Sequence, residues 1–243
     1  MTSQRQMSAT AASSNANADE IAATISVYLA SRGVPPTPAW LQSFISTVRL
    51  ATPLPALQKT ALFRILSTDI QTSLKKAGGP GLPANVTDAN LQQQILRGPF
   101  TVQVLDIEDI GRSRWSQVEA IEAQERGETT KGREIVRVVP DENADPDQTG
   151  INESSSRGPH KLVLQDVNGK TVYGLEITPV NGIGLQLPIG AKLVLRDITL
   201  ARGVLLLEPH CVDVLGGKVE VWEKKWKEER KARLQRQATQ GGD

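Results

Sequence analysis

A chain of 243 residues holds one large domain or two small ones, and its formal net charge of +1 excludes a general polyanion binder. Its single cysteine, Cys211, excludes an internal disulfide framework and indicates a reducing compartment. No apolar run approaches the roughly 20 residues that cross a bilayer, and the first residues lack a signal-peptide pattern. We therefore expect a protein of the cytosol or nucleus, with a mainly aliphatic core because aromatic residues are only 4%.

The first 77 residues change character at residue 18. Residues 1–18 are rich in Ser, Ala, Thr and Asn without periodicity, so we predict that they are disordered. Residues 19–77 contain three stretches with apolar side chains at helical spacing, joined by short proline-containing segments. Since none of the three can bury its apolar stripe alone, we predict a three-helix bundle. The predicted helices run from Asp19 to Arg32, from Pro38 after the capping residue Thr37, and from about Ala56 to Lys76.

Residues 78–98 begin with the glycine-rich segment Gly78-Gly79-Pro80-Gly81. A phosphate-binding loop needs a strand before it and a Gly-Lys-Ser/Thr sequence at the start of the next helix, and neither is present. We therefore predict that residues 78–98 are a linker.

Residues 99–217 switch to the alternation of apolar and polar side chains that is typical of strands. Asn168-Gly169 and Ala201-Arg202-Gly203 both indicate hairpin turns. Five strands with this spacing predict a Greek-key barrel of the OB type and an α+β fold class overall. The five predicted strands begin at Phe100, Lys161, Thr171, Lys192 and Val204; Lys192–Ile198 is expected to be half-buried and Val204–Leu207 to be covered on both faces.

An insertion of about 50 residues, 111–159, interrupts the barrel between its first and second predicted strands. It is far longer than the roughly 2–5 residues of a hairpin loop, and loops of this size usually carry function. Its apolar side chains have near-helical spacing first and strand-like alternation later. These side chains either enter a cavity in a protein partner or fold back on the barrel, and their spacing does not distinguish between the two arrangements. The candidate partner-binding residues are Arg114, Trp115, Ser116, Gln117, Val118, Ile121, Ile135 and Val136.

Catalytic chemistry has little support in this sequence. His210 and Cys211 are neighbours in a predicted strand, so their side chains point to opposite faces and do not form a nucleophile–base pair. Asp106, Glu108 and Asp109 are interpreted as a solvated charge cluster at a strand end rather than as paired catalytic carboxylates. We predict a protein that is not an enzyme, with no catalytic residues, no metal, no cofactor and no small-molecule substrate.

Binding of single-stranded DNA by the barrel is the alternative function. Such barrels stack bases on aromatic side chains in a basic groove, but the predicted strands contain only Phe100 and Tyr173 as aromatics. The C-terminal segment 218–243, a predicted helix with a short tail, is the basic part: residues 218–237 have eight Lys and Arg against four Glu. Trp222 and Trp226 are expected to dock the start of this helix on the barrel or bundle. The candidate DNA contacts are Lys224, Lys225, Lys227, Arg230 and Lys231.

Several motifs are also similar to a known family. The longest are Leu187-Pro188-x-Gly190-x-Lys192, Gly203-Val204-Leu205-Leu206-Leu207-x-Pro209 and Val214-Leu215-Gly216-Gly217. Shorter ones are Trp40-Leu41-Gln42, Thr68-Asp69, Ser116-Gln117, Leu162-x-Leu164-Gln165 and Gly174-x-Glu176. Together with a helical bundle before a barrel that has a long first loop, they resemble the family of RecQ-mediated genome instability protein 1 over nearly all of residues 20–234. The chain ends before the second barrel of larger animal members, so we expect the short fungal form.

The resemblance implies a nuclear, non-enzymatic subunit. Members of the family bind topoisomerase III, a type IA enzyme, and act with a RecQ-family helicase to dissolve double Holliday junctions without crossover. Their inserted loop is understood to reach into the topoisomerase and influence its DNA gate. In this chain that role would fall on residues 111–159, with DNA contacted only indirectly or weakly, and with no membrane association.

Overall fold

A computed structural model describes residues 18–49, 51–76, 81–126, 128–131, 134–137 and 158–240. The predicted disorder of residues 1–18 falls outside the described residues, except at residue 18, where the first helix begins. The first helix, α1, spans residues 18–31. It is followed by α2 (Pro38–Thr47), α3 (Leu54–Leu66) and the short α4 (Ile70–Ser73). These four helices form the N-terminal helical domain.

The helical domain folds as the apolar spacing predicts. Thr37 caps α2, since its hydroxyl accepts a hydrogen bond from the Trp40 N–H at 3.2 Å, and Pro38 occupies the first turn, where a missing N–H costs nothing. The three main helices turn their apolar stripes toward one core, so the predicted bundle is confirmed. The residues at its centre are Ile25, Leu29, Phe44, Leu57, Ala61, Ile65, Ile70 and Leu74.

The predicted continuous third helix from Ala56 to Lys76 is wrong. Helix α3 ends at Leu66, and the Asp69 carboxylate accepts a hydrogen bond from the Gln71 N–H at 2.9 Å and starts α4. Leu74 is then extended and forms a bridge to Pro36. Ser, Thr and Asp side chains compete with helical backbone bonds; here α3 ends at Leu66 with Ser67 as its C-cap, and Asp69 caps the start of α4.

The second domain is built on one eight-stranded sheet, in the order β1-β8-β9-β6-β5-β2-β7-β10, and the insertion adds a hairpin, β3–β4. β6 and β9 are parallel, and the other pairs are antiparallel. The strands are β1 Gln94–Leu96, β2 Phe100–Asp109, β3 Glu128–Lys131, β4 Glu134–Arg137, β5 His160–Asp166, β6 Thr171–Glu176, β7 Lys192–Leu195, β8 Ile198–Ala201, β9 Val204–Leu207 and β10 Val212–Gly216; the remaining helices are α5 Arg114–Glu125 and α6 Glu220–Gln240.

The sheet curls on itself because one predicted strand is bent into two. Only Arg196 and Asp197 separate β7 from β8, and Asp197 has a φ of +48°. β7 pairs with β2 while β8 pairs with β9, so the bend brings the two ends of the sheet together. Counted as one strand, β7 and β8 give the five predicted strands, with β1 and β10 added. The predicted hairpin is confirmed between β8 and β9, where Arg202 and Gly203 have φ values of +51° and +79°.

Two predictions about burial are reversed. β7 is buried on both faces, because Val194 on its outer side packs close to Gly33 of the helical domain. β9 is buried on one face only. Periodicity describes one strand's own side chains, whereas these burial patterns depend on which strand the helical domain covers.

The predicted linker 78–98 is also wrong over the part that the structure describes. Leu82, Val86 and Leu96 lie in the barrel core, and β1 extends the sheet by pairing with β8. The Leu82 N–H donates to the Asp166 carboxylate at 2.9 Å. Residues 82–96 therefore belong to the barrel.

Buried polar side chains join the two domains. The ammonium of Lys192, which is fully buried on β7, donates to the carbonyl oxygens of Leu66 at 2.7 Å and of Gly190 at 2.6 Å. Gln103 on β2 donates to the Asp69 carboxylate at 2.8 Å and accepts from the Ile70 N–H at 3.2 Å. These bonds satisfy groups that would otherwise be buried without partners, so they fix how the helical domain sits on the barrel.

Stability should depend on pH through Lys192. Burial lowers its pKa to about 8 from 10.5, against the opposing effect of Asp69. Between about pH 8 and 10.5 the unfolded chain then binds more protons, so the free energy of unfolding should rise with pH, by roughly 3 kcal/mol over the window. We expect urea denaturation of the unmodified chain to show this rise relative to Lys192→Met. A constant difference between the two proteins across this pH range would contradict the prediction.

Candidate partner-binding surface

The acidic end of β2 is a structural junction. A bulge at Leu105 shifts the register between Val104 and Asp106, so Ile107 faces the core. Asp106 accepts hydrogen bonds from the Trp226 indole N–H at 2.6 Å and from the Arg233 guanidinium at 3.0 Å, both on α6. This carboxylate therefore anchors the C-terminal helix to the barrel.

Glu108 connects the barrel to the insertion helix α5. Its carboxylate forms ion pairs with Arg114 at 3.0 Å and with Lys161 at 2.8 Å. Burial alone would raise the pKa of Glu108, but Lys161 and then Arg114 together hold the pKa below its usual value. Asp106 and Glu108 are thus engaged by cations, while Asp109 is buried. The predicted solvated cluster is therefore wrong for Glu108 and Asp109, because their carboxylates are packed into the junction.

The insertion enters and leaves the barrel at one point. The Ile110 N–H donates to the Pro159 carbonyl at 3.0 Å. A Cβ atom on Gly111 would lie 2.7 Å from the Gly158 Cα, so only glycine permits this approach. The Gly111 N–H also donates to the Asp109 carboxylate at 2.9 Å. These contacts hold the two ends of the insertion together. We call this closed base, formed at Gly111 and Gly158, the stem of the insertion.

Helix α5 folds back on the protein instead of projecting as a whole. Ser113 caps it by accepting from the Ser116 N–H at 3.1 Å. Gln117 is buried and donates to the carbonyl oxygens of Asp109 at 2.8 Å and Arg112 at 3.2 Å. Val118 is also buried, so Gln117 and Val118 are not free to contact a partner. For these two residues the partner-binding prediction is wrong, because their side chains complete the junction of α5 with the barrel.

Trp115 remains a strong candidate for partner contact. Its side chain is 52% exposed, and Ile110 beside the stem is 44% exposed. Arg114 is engaged with Glu108, and Ile121 is half-buried. Ile135 and Val136 lie on β4, where they pair with Thr130 and Thr129 of β3. The structure describes their backbone but not their side chains.

The C-terminal helix does not offer the predicted basic face as a whole. Arg230 is buried, with its guanidinium 5.2 Å from the Trp226 ring centroid. Lys231 bridges to α5, at 2.6 Å from Glu125 and 3.4 Å from Glu122. For Arg230 and Lys231 the DNA-contact prediction therefore has no geometric support. The three remaining lysines are exposed and face glutamates one turn away: Lys224 with Glu228, Lys225 with Glu229 and Lys227 with Glu223.

The histidines and the cysteine occupy separate environments. His210 and Cys211 precede β10 in a turn, which corrects the prediction that they lie in a strand. Burial raises the pKa of the Cys211 thiol, and its sulfur contacts backbone groups of Leu206 and Glu208. Sequence reasoning missed the buried pair of His160 Nδ1 and the Glu176 carboxylate, 2.6 Å apart, although Gly174-x-Glu176 was among the motifs. Among the described residues, no three His, Cys, Asp or Glu side chains form a group that could hold a metal.

Within the described part of the chain, no helix is both long and apolar enough to span a bilayer. Taken together, the elements described above form a helical domain packed on an OB-fold barrel. The insertion helix α5 and the C-terminal helix α6 meet at one junction on this barrel. Two family models match this layout: "RMI1, N-terminal OB-fold domain" over residues 82–230 and "RMI1, N-terminal helical domain" over residues 29–73. The chain belongs to the RMI1 family.

Relatives in distant organisms share the same region. RecQ-mediated genome instability protein 1 of Schizosaccharomyces pombe is 28% identical over 215 residues, which are 83% of this chain and 89% of that protein. The Xenopus laevis protein of the same name is 27% identical over 74% of this chain and 30% of its own length. Tudor domain-containing protein 3 of Danio rerio is 25% identical over 71% of this chain. The chain thus spans most of the fission yeast protein but under a third of the frog one.

Proposed function

We propose that this chain is a non-catalytic scaffold subunit in genome maintenance. It binds topoisomerase III through its barrel and insertion and acts in the nucleus with a RecQ-family helicase. In this role it promotes decatenation and the dissolution of double Holliday junctions. Membership of the RMI1 family supports a scaffold role in genome stability, and the printed name of the relatives links them to RecQ.

The observation that carries the proposal is the way the insertion is mounted. Its stem is closed at Gly111 and Gly158, and α5 is fixed by buried Gln117 and Val118, while Trp115 next to them is left exposed. A rigid base with an exposed aromatic anchor is the arrangement expected of a binding surface, because a large side chain is presented at little cost in conformational entropy. The insertion would then hold the gate of the topoisomerase in a state that favours strand passage, by binding energy and without covalent chemistry.

Binding of purified topoisomerase III to the full chain tests this proposal. We expect a stoichiometric complex by size-exclusion chromatography with light scattering, and faster decatenation than with the enzyme alone. Trp115→Ser should weaken the complex about tenfold, as expected for an aromatic anchor, whereas Val27→Ser, at a residue of α1 that is 71% exposed, should not. Absence of any complex would refute the proposal.

Single-stranded DNA binding is the second candidate, favoured by the exposure of Lys224, Lys225 and Lys227 on one helix. It requires submicromolar, salt-sensitive binding by the chain alone. Changing the three lysines to glutamine would then lower both the affinity and its salt dependence. Changing the exposed Lys59, Lys75 and Lys76 of the helical domain provides the matched control. Because each α6 lysine already faces a glutamate, we expect weak binding that the two triple variants alter equally.

A further inference from the structure

The outer edge of β10 presents backbone hydrogen-bonding groups. β10 is the last strand of the eight-stranded sheet, and among the described strands it pairs with β7 alone. The Arg196 N–H donates to the Cys211 carbonyl at 2.9 Å, and in an antiparallel ladder every second residue bonds to the partner strand. Asp213 therefore bonds to β7, while the N–H and C=O groups of Val212 and Val214 point away from it. Outside the pairing with β7, no backbone hydrogen bond to another described residue involves either valine.

A cleft of about 430 Å³ follows this edge. Its lining includes Ser31 and Arg32 at the end of α1, Asn181 in the loop after β6, and Val212 and Val214 of β10. An edge strand with unpaired groups is a template for another extended chain, and native proteins usually cover or shorten such edges. Because this edge lines a cleft, a partner reaches it with a narrow extended segment and not with a flat surface.

Side chains along β10 alternate between two environments. Val212 is 6% exposed and Val214 packs partly on the barrel core, whereas the Asp213 side chain is 60% exposed on the opposite side. A strand added beside β10 continues this alternation, because cross-strand neighbours point to the same side of a sheet. Its side chains next to the two valines meet apolar surface, and the side chains between them lie on the side of Asp213.

The charges of the cleft specify the segment further. The charged residues that the structure describes in its lining are Arg32, Arg196 and Asp213. Arg196 and Asp213 form an ion pair with each other, so Arg32 is the uncompensated charge. Asp197 and Glu208, the nearest other carboxylates along the chain, are not part of this lining. A carboxylate on the outward side of the added strand therefore complements the cleft.

A second copy of this chain suits the cleft poorly. Two β10 strands related by a two-fold axis pair antiparallel, and the register that engages all the outward groups of Val212 and Val214 is centred on Asp213. This register places the two Asp213 carboxylates directly opposite each other, and like charges at such positions destabilise a strand pair. The occupant that fits is a segment of a different protein.

The edge of β10 also lies away from the insertion. β7, the strand beside β10, pairs with Phe100–Gln103 at the beginning of β2, whereas the insertion starts after Asp109 at the end of that strand. About 20 Å of extended strand separates Gln103 from Asp109. One molecule of this chain can therefore hold a segment on β10 and a partner on Trp115 at the same time.

We infer that the edge of β10 is a docking site for an extended segment of another protein, which joins the sheet as an additional strand. The segment carries apolar side chains at alternate positions with a carboxylate between them. Main-chain hydrogen bonds give such a complex its affinity, and the alternate side chains give it specificity. This inference goes beyond the proposed function, because it adds a second binding site that does not use the insertion.

A synthetic peptide of about seven residues, with valine at alternate positions and glutamate between them, is the probe. Amide hydrogen exchange in the full chain, followed by NMR, gives the readout. We expect the peptide to slow exchange of the Val212 and Val214 amides about tenfold or more, whereas the amide of Asp213, already bonded to β7, exchanges slowly with and without peptide. The same peptide with all its backbone nitrogens methylated keeps the side chains but no donors, so it should not protect the two valines.

Two substitutions test the backbone and the charge separately. Val214→Pro removes an outward N–H without removing a bond to β7, so it should leave the thermal unfolding transition in place and weaken peptide binding about tenfold. Val214→Thr keeps the N–H and is its matched control. Arg32→Glu should weaken binding of the glutamate peptide and strengthen binding of a lysine version, whereas Lys59→Glu, at an exposed residue of α3, should change neither.

Several outcomes would overturn the inference. Val212 and Val214 amides that exchange as slowly as that of Asp213 in the free chain would show that this chain already covers its own edge. Peptide binding without protection of the two valines, or equal protection by the methylated peptide, would place the contact elsewhere. Protection that rises with protein concentration in the absence of peptide would assign the edge to a second copy. None of these measurements involves topoisomerase III, so the proposed function is tested independently.

Discussion

Replacing residues 127–157 with a Gly-Ser segment of equal length is expected to abolish the stimulation of topoisomerase III and to leave the fold intact. The replacement keeps α5, whose buried Gln117 and Val118 complete the junction with the barrel. It also keeps the closed stem at Gly111 and Gly158, so the new segment joins fixed points. Thermal unfolding should therefore stay close to that of the unmodified chain, while decatenation by the mixture falls to the rate of the enzyme alone.

A scrambled version of residues 127–157 is the matched control for this experiment. It preserves length and composition, so it separates specific contacts from bulk charge. Under the proposed function the scrambled chain also fails to stimulate, and both variants still bind topoisomerase through Trp115 and the barrel. Stimulation by the Gly-Ser variant at the normal rate would show that the insertion beyond α5 does not act on the enzyme.

The second large effect is expected at Trp226. Its side chain is 7% exposed and packs with the barrel core. Its indole N–H donates to Asp106, and the guanidinium groups of Arg230 and Arg233 lie 5.2 and 5.7 Å from its ring centroid. Trp226→Ala removes all of these contacts and should lower the free energy of unfolding by about 3–5 kcal/mol, measured by urea denaturation.

Two further variants separate the contribution of the indole hydrogen bond from that of packing. Trp226→Phe keeps most of the packing but leaves Asp106 without its indole donor, which should cost about 1.5–3 kcal/mol because the acceptor is charged. Val221→Ala, on the same helix but with its side chain 75% exposed, should change stability by less than about 0.5 kcal/mol. If Trp226→Ala were no more harmful than Val221→Ala, α6 would not be docked in solution.

The C-terminal helix α6 is docked along more of its length than its sequence pattern predicts. The spacing of Trp222 and Trp226 predicts that its beginning docks, and Trp226 does so. The docked stripe continues to Leu234 through Arg230, a residue that looks like part of a solvated charged face. Arg230 is buried with its guanidinium 5.2 Å from the centroid of the Trp226 ring, and Trp226 itself packs on the barrel core. The extent of docking was therefore not readable from the helix alone.

The barrel illustrates a different limit. Alternation in Lys192–Ile198 correctly predicts extended backbone, but not the left-handed residue Asp197 that divides it into β7 and β8. That conformation is uncommon for a residue other than glycine, so a local pattern gives no reason to expect it. Similarly, the helical spacing of apolar side chains from Ala56 to Leu74 does not indicate that the Asp69 carboxylate accepts a hydrogen bond from Gln103 of the barrel.

In the insertion, helical spacing predicts α5, but the choice between packing and projection is made residue by residue. Val118 faces inward and Trp115, three residues earlier, remains largely outside. Both side chains are apolar, so hydrophobicity does not distinguish them. What distinguishes them is the folded environment of α5, which includes the distant helix α6, joined to α5 by the ion pairs of Lys231 with Glu122 and Glu125.

The closed stem of the insertion has a consequence for how such proteins diversify. Because the chain leaves and re-enters the barrel at adjoining backbone atoms of Gly111 and Gly158, the segment between them adds no mechanical demand on the strands. Lengthening a flexible segment between fixed ends costs only about 0.6 kcal/mol for each doubling. The part of the insertion beyond α5 is thus an exchangeable cassette: its length can vary without disturbing the frame, and a chimera carrying another member's residues in place of 127–157 should keep the fold.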